Sequence, residues 1–181
     1  MDYLGELKKE LESIFLDFKL ALLKIRTGKP SIDDLKILKV RAYESEMELK
    51  DLATFLVEGM VINVNVFDRS ILGNVVSALQ SQSSSLGATV SSDGVSVKLK
   101  FHPLTEEERV NKINQLSKLE ESFKVRMRLK RQDTNSKIKS DKTLREDDRE
   151  NLLSEVQRTL DNFVEQVSKL ADEKKAQIKE G

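Results

Sequence analysis

The sequence predicts an α+β protein: an elongated three-helix bundle with a small α/β domain inserted after the first helix. Three observations predict it. Apolar residues recur at alternating three-and-four spacing in three long stretches, and the segment between the first two switches to strand-like alternation. The composition favours helices over turns, with 34% charged residues, 5% aromatic, seven Gly and two Pro in 181 residues.

The first stretch places Leu4, Leu7, Leu11, Ile14, Phe18, Ala21 and Ile25 on one narrow seam. That helix is expected to stop at Thr27-Gly28-Lys29-Pro30-Ser31, where Gly suits a left-handed cap and Pro cannot continue the ladder. From Ser31 to Pro103 the period changes. Met60, Ile62, Val64 and Val66 alternate with Val61, Asn63 and Asn65, and Val95, Val97, Leu99 and Phe101 alternate with Ser96, Lys98 and Lys100. Ser92-Asp93-Gly94 is a tight-turn signal that joins the second run to a short strand around Val90. Leu72, Val75, Val76 and Leu79 have helical spacing after Asp68 or Ser70 as N-cap.

Thr105 followed by Glu108 forms a capping-box start, and helical character then persists to about Lys139. The last helix begins near Asp147 and carries Leu153, Val156, Leu160, Phe163, Val167 and Leu170 on its seam. The short connection from Lys142 to Glu146 makes these two helices antiparallel neighbours, and three apolar seams must bury one another. Residues 1–29 and 105–181 are therefore expected to form the bundle, and 30–104 the insert. Two chain crossings would join them, with a hinge at Lys29, Pro30, Ser31, Pro103 and Leu104.

Lys plus Arg and Asp plus Glu both number 31, so a nucleic-acid partner must be met by a local patch. The absence of cysteine excludes disulfides, a thiolate nucleophile and the usual structural zinc sites. No unbroken apolar run approaches a membrane span, and Met-Asp-Tyr-Leu-Gly-Glu-Leu has no secretory layout. A soluble interior protein without a membrane partner is the expectation.

Counting at about 100° per residue puts Lys124, Arg128, Arg131, Asn135, Lys139 and Lys142 on one face of the second long helix. Its seam of Leu116, Leu119, Phe123, Met127, Thr134 and Ile138 points a quarter-turn away, so the stripe can be exposed while the seam is buried. Between Lys124 and Lys142 stand eight Lys or Arg and two Asp, and the following Arg145-Glu146-Asp147-Asp148-Arg149-Glu150 is mainly acidic. A row of cations on a rigid helix suits phosphate oxygens of a structured RNA backbone. It equally suits a solvated helix face with weak neighbouring ion pairs.

Arg26 and Lys29 would extend the basic surface, although cations at a helix C-terminus also answer the helix dipole. His102 is the only histidine and has no second member for a metal site or a catalytic relay. No phosphate loop follows a strand, and the acidic pairs Glu106-Glu107 and Asp147-Asp148 sit at helix starts, where capping accounts for them. No catalytic residues, metal ligands or cofactor are expected. Phe15, Phe18, Phe123 and Phe163 read as core.

Taken together, Lys24-Ile25-Arg26-Thr27-Gly28, Asn65-Val66-Phe67-Asp68-Arg69-Ser70 and Pro103-Leu104-Thr105-Glu106-Glu107-Glu108-Arg109 resemble landmarks of ribosome recycling factors. The helix from Arg128 through Arg131 to Asp133, Asn135, Lys137 and Lys139 resembles that family's basic helix, and Glu146-Asp147-Asp148 the start of its final helix. The five landmarks occur in order over nearly the whole chain.

The resemblance implies a three-helix bundle joined by a two-stranded hinge to the smaller domain. It also implies a factor that catalyses no covalent reaction. Such a factor docks on large-subunit rRNA and acts with elongation factor G to split the post-termination ribosome, the partner hydrolysing the GTP. By matching position, Arg131 and Arg128 would lead the rRNA contacts, supported by Lys124, Lys139 and Arg26. The chain is expected to be a monomer in the bacterial cytoplasm, or in an organelle of bacterial descent. It departs from the family pattern at Gln132, where a second Arg is common, at Tyr43-Glu44 in place of a Tyr-Gly turn, and at Lys29-Pro30 in place of Arg-Ala. The rival reading is a helical interaction or chaperone-like module that binds no RNA, and salt dependence separates the two.

Overall fold

The computed structural model describes residues 2–28 and 30–180. In chain order, α1 spans Tyr3–Leu23 and α2 Ile32–Lys36; β1 (Lys39–Ala42) and β2 (Ser45–Glu48) follow. After a 3-10 turn at Leu49–Asp51 come β3 (Ala53–Glu58) and β4 (Val61–Val66). Next are α3 (Leu72–Leu86), β5 (Ala88–Ser92), β6 (Ser96–Phe101), α4 (Glu106–Ser140) and α5 (Glu146–Glu180). The described chain divides into two compact units, residues 2–25 with Glu106–Glu180, and Arg26–Thr105.

In the first unit α1, α4 and α5 pack pairwise. The Asp2 carboxylate caps α1 by accepting from the Gly5 N–H at 2.9 Å. Leu7, Leu11, Ile14, Phe18 and Ile25 are buried as their spacing predicts, and the seam also takes in Tyr3 and Leu22, with Leu4 and Ala21 at its margin. α1 ends at Leu23, short of the expected stop. The N–H groups of Lys24 and Ile25 bond back to the carbonyls of Ala21 and Leu22, which tightens the last turn and ends the ladder. Gly28, at φ 85°, then turns the departing chain.

Leu116, Phe123, Met127, Thr134 and Ile138 of α4 face Val156, Leu160, Val167, Ala171 and Ile178 of α5 and the α1 seam. The Phe18 and Phe123 rings lie 5.3 Å apart, and Phe15 meets Phe163 edge-on at 6.1 Å. The Asp141 carboxylate anchors the α4–α5 connection. It accepts from the Tyr3 hydroxyl at 2.7 Å and from the Thr143 N–H at 2.9 Å and Oγ1 at 2.6 Å. Hydrogen bonds from Thr143 and Tyr3 hold its pKa at about 2.

The second unit contains a four-stranded antiparallel sheet in the order β3-β4-β6-β5 and a separate β1-β2 hairpin. Ile62 pairs with Leu99 and Val64 with Val97, and these four line the core with Leu35, Val40, Leu49, Val75 and Leu79. α3 starts after a 3-10 turn whose cap is Asp68, accepting from the Ser70 N–H at 2.8 Å. At the β5–β6 turn Gly94 has φ 85°, and Asp93 Oδ1 accepts from the N–H groups of Val95 and Ser96. Those bonds hold Val95 out in the turn, so the buried alternation begins at Val97 and not at Val95.

Helix α2, the β1-β2 hairpin and strand β3 carry no periodicity signal in the sequence, and of these only the hairpin's turn at Tyr43-Glu44 is marked, by the resemblance. The β1-β2 hairpin closes on Tyr43 (φ 50°) and Glu44 (φ 66°), a two-residue turn left-handed at both positions. Strand β3 forms the sheet edge.

Candidate nucleic-acid interface

Arg131 apart, the cations of α4 from Lys124 to Lys139 fall into three groups according to the neighbour each meets. Arg126 pairs with Asp17 at 3.2 Å and Lys130 with Glu10 at 3.2 Å, which commits both to α1. Lys124 pairs with Glu120 at 2.6 Å, and Glu120 also takes Lys175 of α5 at 3.0 Å. The Lys124 side chain is only 15% exposed, so it is not part of an open row as its helical position suggested. The reason is that α5 covers that sector of α4 and brings its own ammonium to the same carboxylate. Burial alone would raise the Glu120 carboxyl, but the hydrogen bonds from Lys124 and Lys175 outweigh it and hold its pKa below the usual value.

The third group is open. Arg128 is about half exposed and reaches Glu121 at 2.8 Å. Lys137 and Lys139 are exposed, with no ion-pair partner among the described residues. Lys142 is exposed as well, but α4 ends at Ser140, so Lys142 stands in the connection and not on the helical stripe.

Arg131 lies between the open and committed groups. Its Nη1 donates to Gln157 Oε1 at 2.8 Å, and Gln157 Nε2 in turn donates to Asp161 Oδ1 at 2.8 Å, which fixes the plane of the guanidinium. Arg131 Nε and Asn135 Oδ1, one helical turn apart, are both buried without a partner. A held guanidinium beside an open cation row can meet phosphates without first losing side-chain freedom.

The remaining predicted residues belong to the second unit or lie outside the described chain. Arg26 Nη2 donates to the His102 carbonyl, and its guanidinium takes the space beside Gly87 that a Cβ would fill, so Arg26 is not on the α4 stripe. The His102 ring meets Thr89 Oγ1 at 2.7 Å. Pro30 is half-buried, Ser31 stands at the N-cap position of α2, Pro103 is exposed and Leu104 is buried. Lys29 lies outside the described residues.

Sequence reasoning missed the Arg126–Asp17, Lys130–Glu10 and Glu120–Lys175 pairs, since only Glu120–Lys124 carries a local spacing signal. Among the described residues no group of three or more His, Cys, Asp or Glu could hold a metal ion. No helix among them is long and apolar enough to cross a membrane.

A three-helix bundle with cations along α4, one of its two 35-residue helices, carrying an inserted antiparallel sheet unit, defines the class: a two-unit α+β protein. The model of the ribosome recycling factor family matches residues 18–178, and the chain belongs to that family. A ribosome-recycling factor from Campylobacter hominis is 30% identical over 178 residues, covering 96% of this chain and 93% of the relative. One from Halalkalibacterium halodurans is 34% identical over 163 residues, covering 88% and 87%.

Among solved structures, the solution structure of a ribosome recycling factor superposes with a TM-score of 0.83 at 25% identity, covering 99% of this chain and 97% of that one. A second, with a TM-score of 0.64, 25% identity and coverage of 98% and 97%, is the T. thermophilus ribosome recycling factor. It was placed with E. coli elongation factor G on the E. coli post-termination complex.

Proposed function

We propose that this protein binds the post-termination ribosome and, together with elongation factor G, promotes its dissociation into subunits for new rounds of translation. The observation that carries this reading is the family match across residues 18–178. It is supported by the structural relative placed with elongation factor G on a post-termination complex. The relatives named above are bacterial, which favours action in the bacterial cytoplasm. The protein itself performs no covalent chemistry on this reading, and the GTP is hydrolysed by its partner.

In this reading the bundle docks on large-subunit rRNA through Arg131, Arg128 and Lys139. Arg131 supplies the oriented fork, Lys139 supplies open charge, and Arg128, half exposed, adds its charge on leaving Glu121. Lys124 joins them only after release from Glu120. The sheet unit then takes the push from the translocase, and the load passes through the two chain crossings, residues 26–31 and 102–105. The test is light scattering of post-termination ribosomes mixed with the protein, elongation factor G and GTP. A fall in scattering that needs all three is expected; a signal no larger than with elongation factor G alone refutes the reading.

A further inference from the structure

Arg26 stands where the chain passes from α1 into the sheet unit, and its side chain is spent within that unit. Nη2 donates to the His102 carbonyl, Nη1 lies against Gly87 where a Cβ would stand, and Nε is buried without a partner. Gly87 is the left-handed C-cap of α3 (φ 65°), and its N–H bonds the Ser83 carbonyl. Its own carbonyl accepts from the His102 N–H at 3.1 Å. Two residues beyond Arg26, Gly28 comes so close to Leu104 that a Cβ there would lie 3.1 Å from its Cγ. Arg26, in the first crossing, therefore reaches the second crossing and the end of α3 with one guanidinium, while Gly28 packs the first crossing against Leu104 of the second.

A phosphate ligand needs an open fork. The fork of Arg26 is occupied by the His102 carbonyl and lies against Gly87, where it takes the place a Cβ would fill. We propose that Arg26 is a positioning residue and not an RNA ligand: it ties both chain crossings to the C-terminal end of α3, so that they move with the sheet unit as one piece. On the recycling reading, on which this consequence rests, load on the sheet unit reaches both crossings together. Bending then falls on the bundle side of Arg26 and Leu104, and not at Pro30 and Pro103.

The test uses Arg26→Lys, Arg26→Met and Gly87→Ala in the full chain, each checked for helicity. Gly87→Ala keeps the charge but expels the guanidinium; since Ala is also strained at φ 65°, Arg26→Lys and Arg26→Met decide the tie, and Gly87→Ala tests only whether keeping the charge preserves the salt slope. Three readouts are taken: exchange of the His102 amide, large-subunit affinity across a salt series, and splitting with elongation factor G and GTP.

All three variants are expected to speed His102 exchange by about tenfold or more. They should slow splitting several-fold at saturating factor and leave the salt slope of binding unchanged. Unchanged His102 exchange in Arg26→Lys and Arg26→Met overturns the tie. A slope in Arg26→Met shallower by about one phosphate contact makes Arg26 an RNA ligand instead. Faster exchange with normal splitting overturns the load path. If the wild type neither binds nor splits, the recycling reading falls, and the exchange readout still decides whether the tie exists.

Discussion

Replacing Glu120 by glutamine removes the negative charge that two lysines share across the α4–α5 contact. Glu120, Lys124 and Lys175 have side chains 13%, 15% and 23% exposed, at distances of 2.6 and 3.0 Å. Removing one partner from a fully buried pair costs about 3–5 kcal/mol, and breaking an exposed pair costs about 0.2–1. These groups keep part of their hydration, and glutamine retains one acceptor oxygen, so the loss expected is about 2 kcal/mol. For a chain of this size that lowers Tm by roughly 4–8 °C.

The same substitution carries a pH signature. Because the Glu120 pKa is lowered in the folded state, its contribution is present above the unfolded value, about 4.3, and is lost as pH falls through the folded one. The deficit of Glu120→Gln should therefore be full at neutral pH and shrink as the medium is acidified below pH ~4. Urea melts of both proteins, followed by circular dichroism at several pH values, measure it. A deficit below about 0.5 kcal/mol at neutral pH, or one undiminished in acid, refutes the reasoning.

The hairpin and the bundle core make further predictions. Glu44 holds a left-handed φ of 66°, which costs a side-chain-bearing residue roughly 1–2 kcal/mol, so Glu44→Gly should stabilise the sheet unit by about 0.5–1 kcal/mol in urea melts. Tyr43, also left-handed, is left in place because its hydroxyl bonds Asp68 at 2.6 Å. Phe18 is fully buried against Phe123, so Phe18→Ala should cost about 3–5 kcal/mol, and a loss under about 1 kcal/mol would deny it a place in the core.

The three helices and the β4–β6 core were legible because periodicity states which side of an element is apolar. Leu7, Leu11, Phe18, Val64 and Leu99 were all placed inside by spacing alone. The β1-β2 hairpin was not legible in spacing or composition, because Tyr43-Glu44 lacks the Gly or Asn that announces a left-handed turn, and only the resemblance marked a turn there. Strand β3 was hidden for a related reason: as an edge strand it leaves the consecutive Leu56 and Val57 both exposed, which breaks the alternation.

The cationic face of α4 was legible as an angle but not as an environment. Helical counting puts Lys124 and Arg128 on one side, yet it cannot say that Lys175 of α5 arrives beside the first, while the second stays half exposed with only the surface carboxylate of Glu121 beside it. Arg26 was misleading in the same way, since its neighbours Gly87 and His102 are far along the chain and only the fold brings them to it.

Whether the open face of α4 docks on rRNA is decided by binding to isolated large ribosomal subunits across a salt series. Wild type, Arg128→Ala and Arg131→Ala are compared at matched helicity. The wild type is expected to bind and to lose affinity steeply as salt rises. Each variant should bind more weakly, with a log–log slope shallower by roughly 0.7–0.9 for the phosphate contact it has lost. A wild type that fails to bind at low salt, or variants whose slopes match it, would contradict the account.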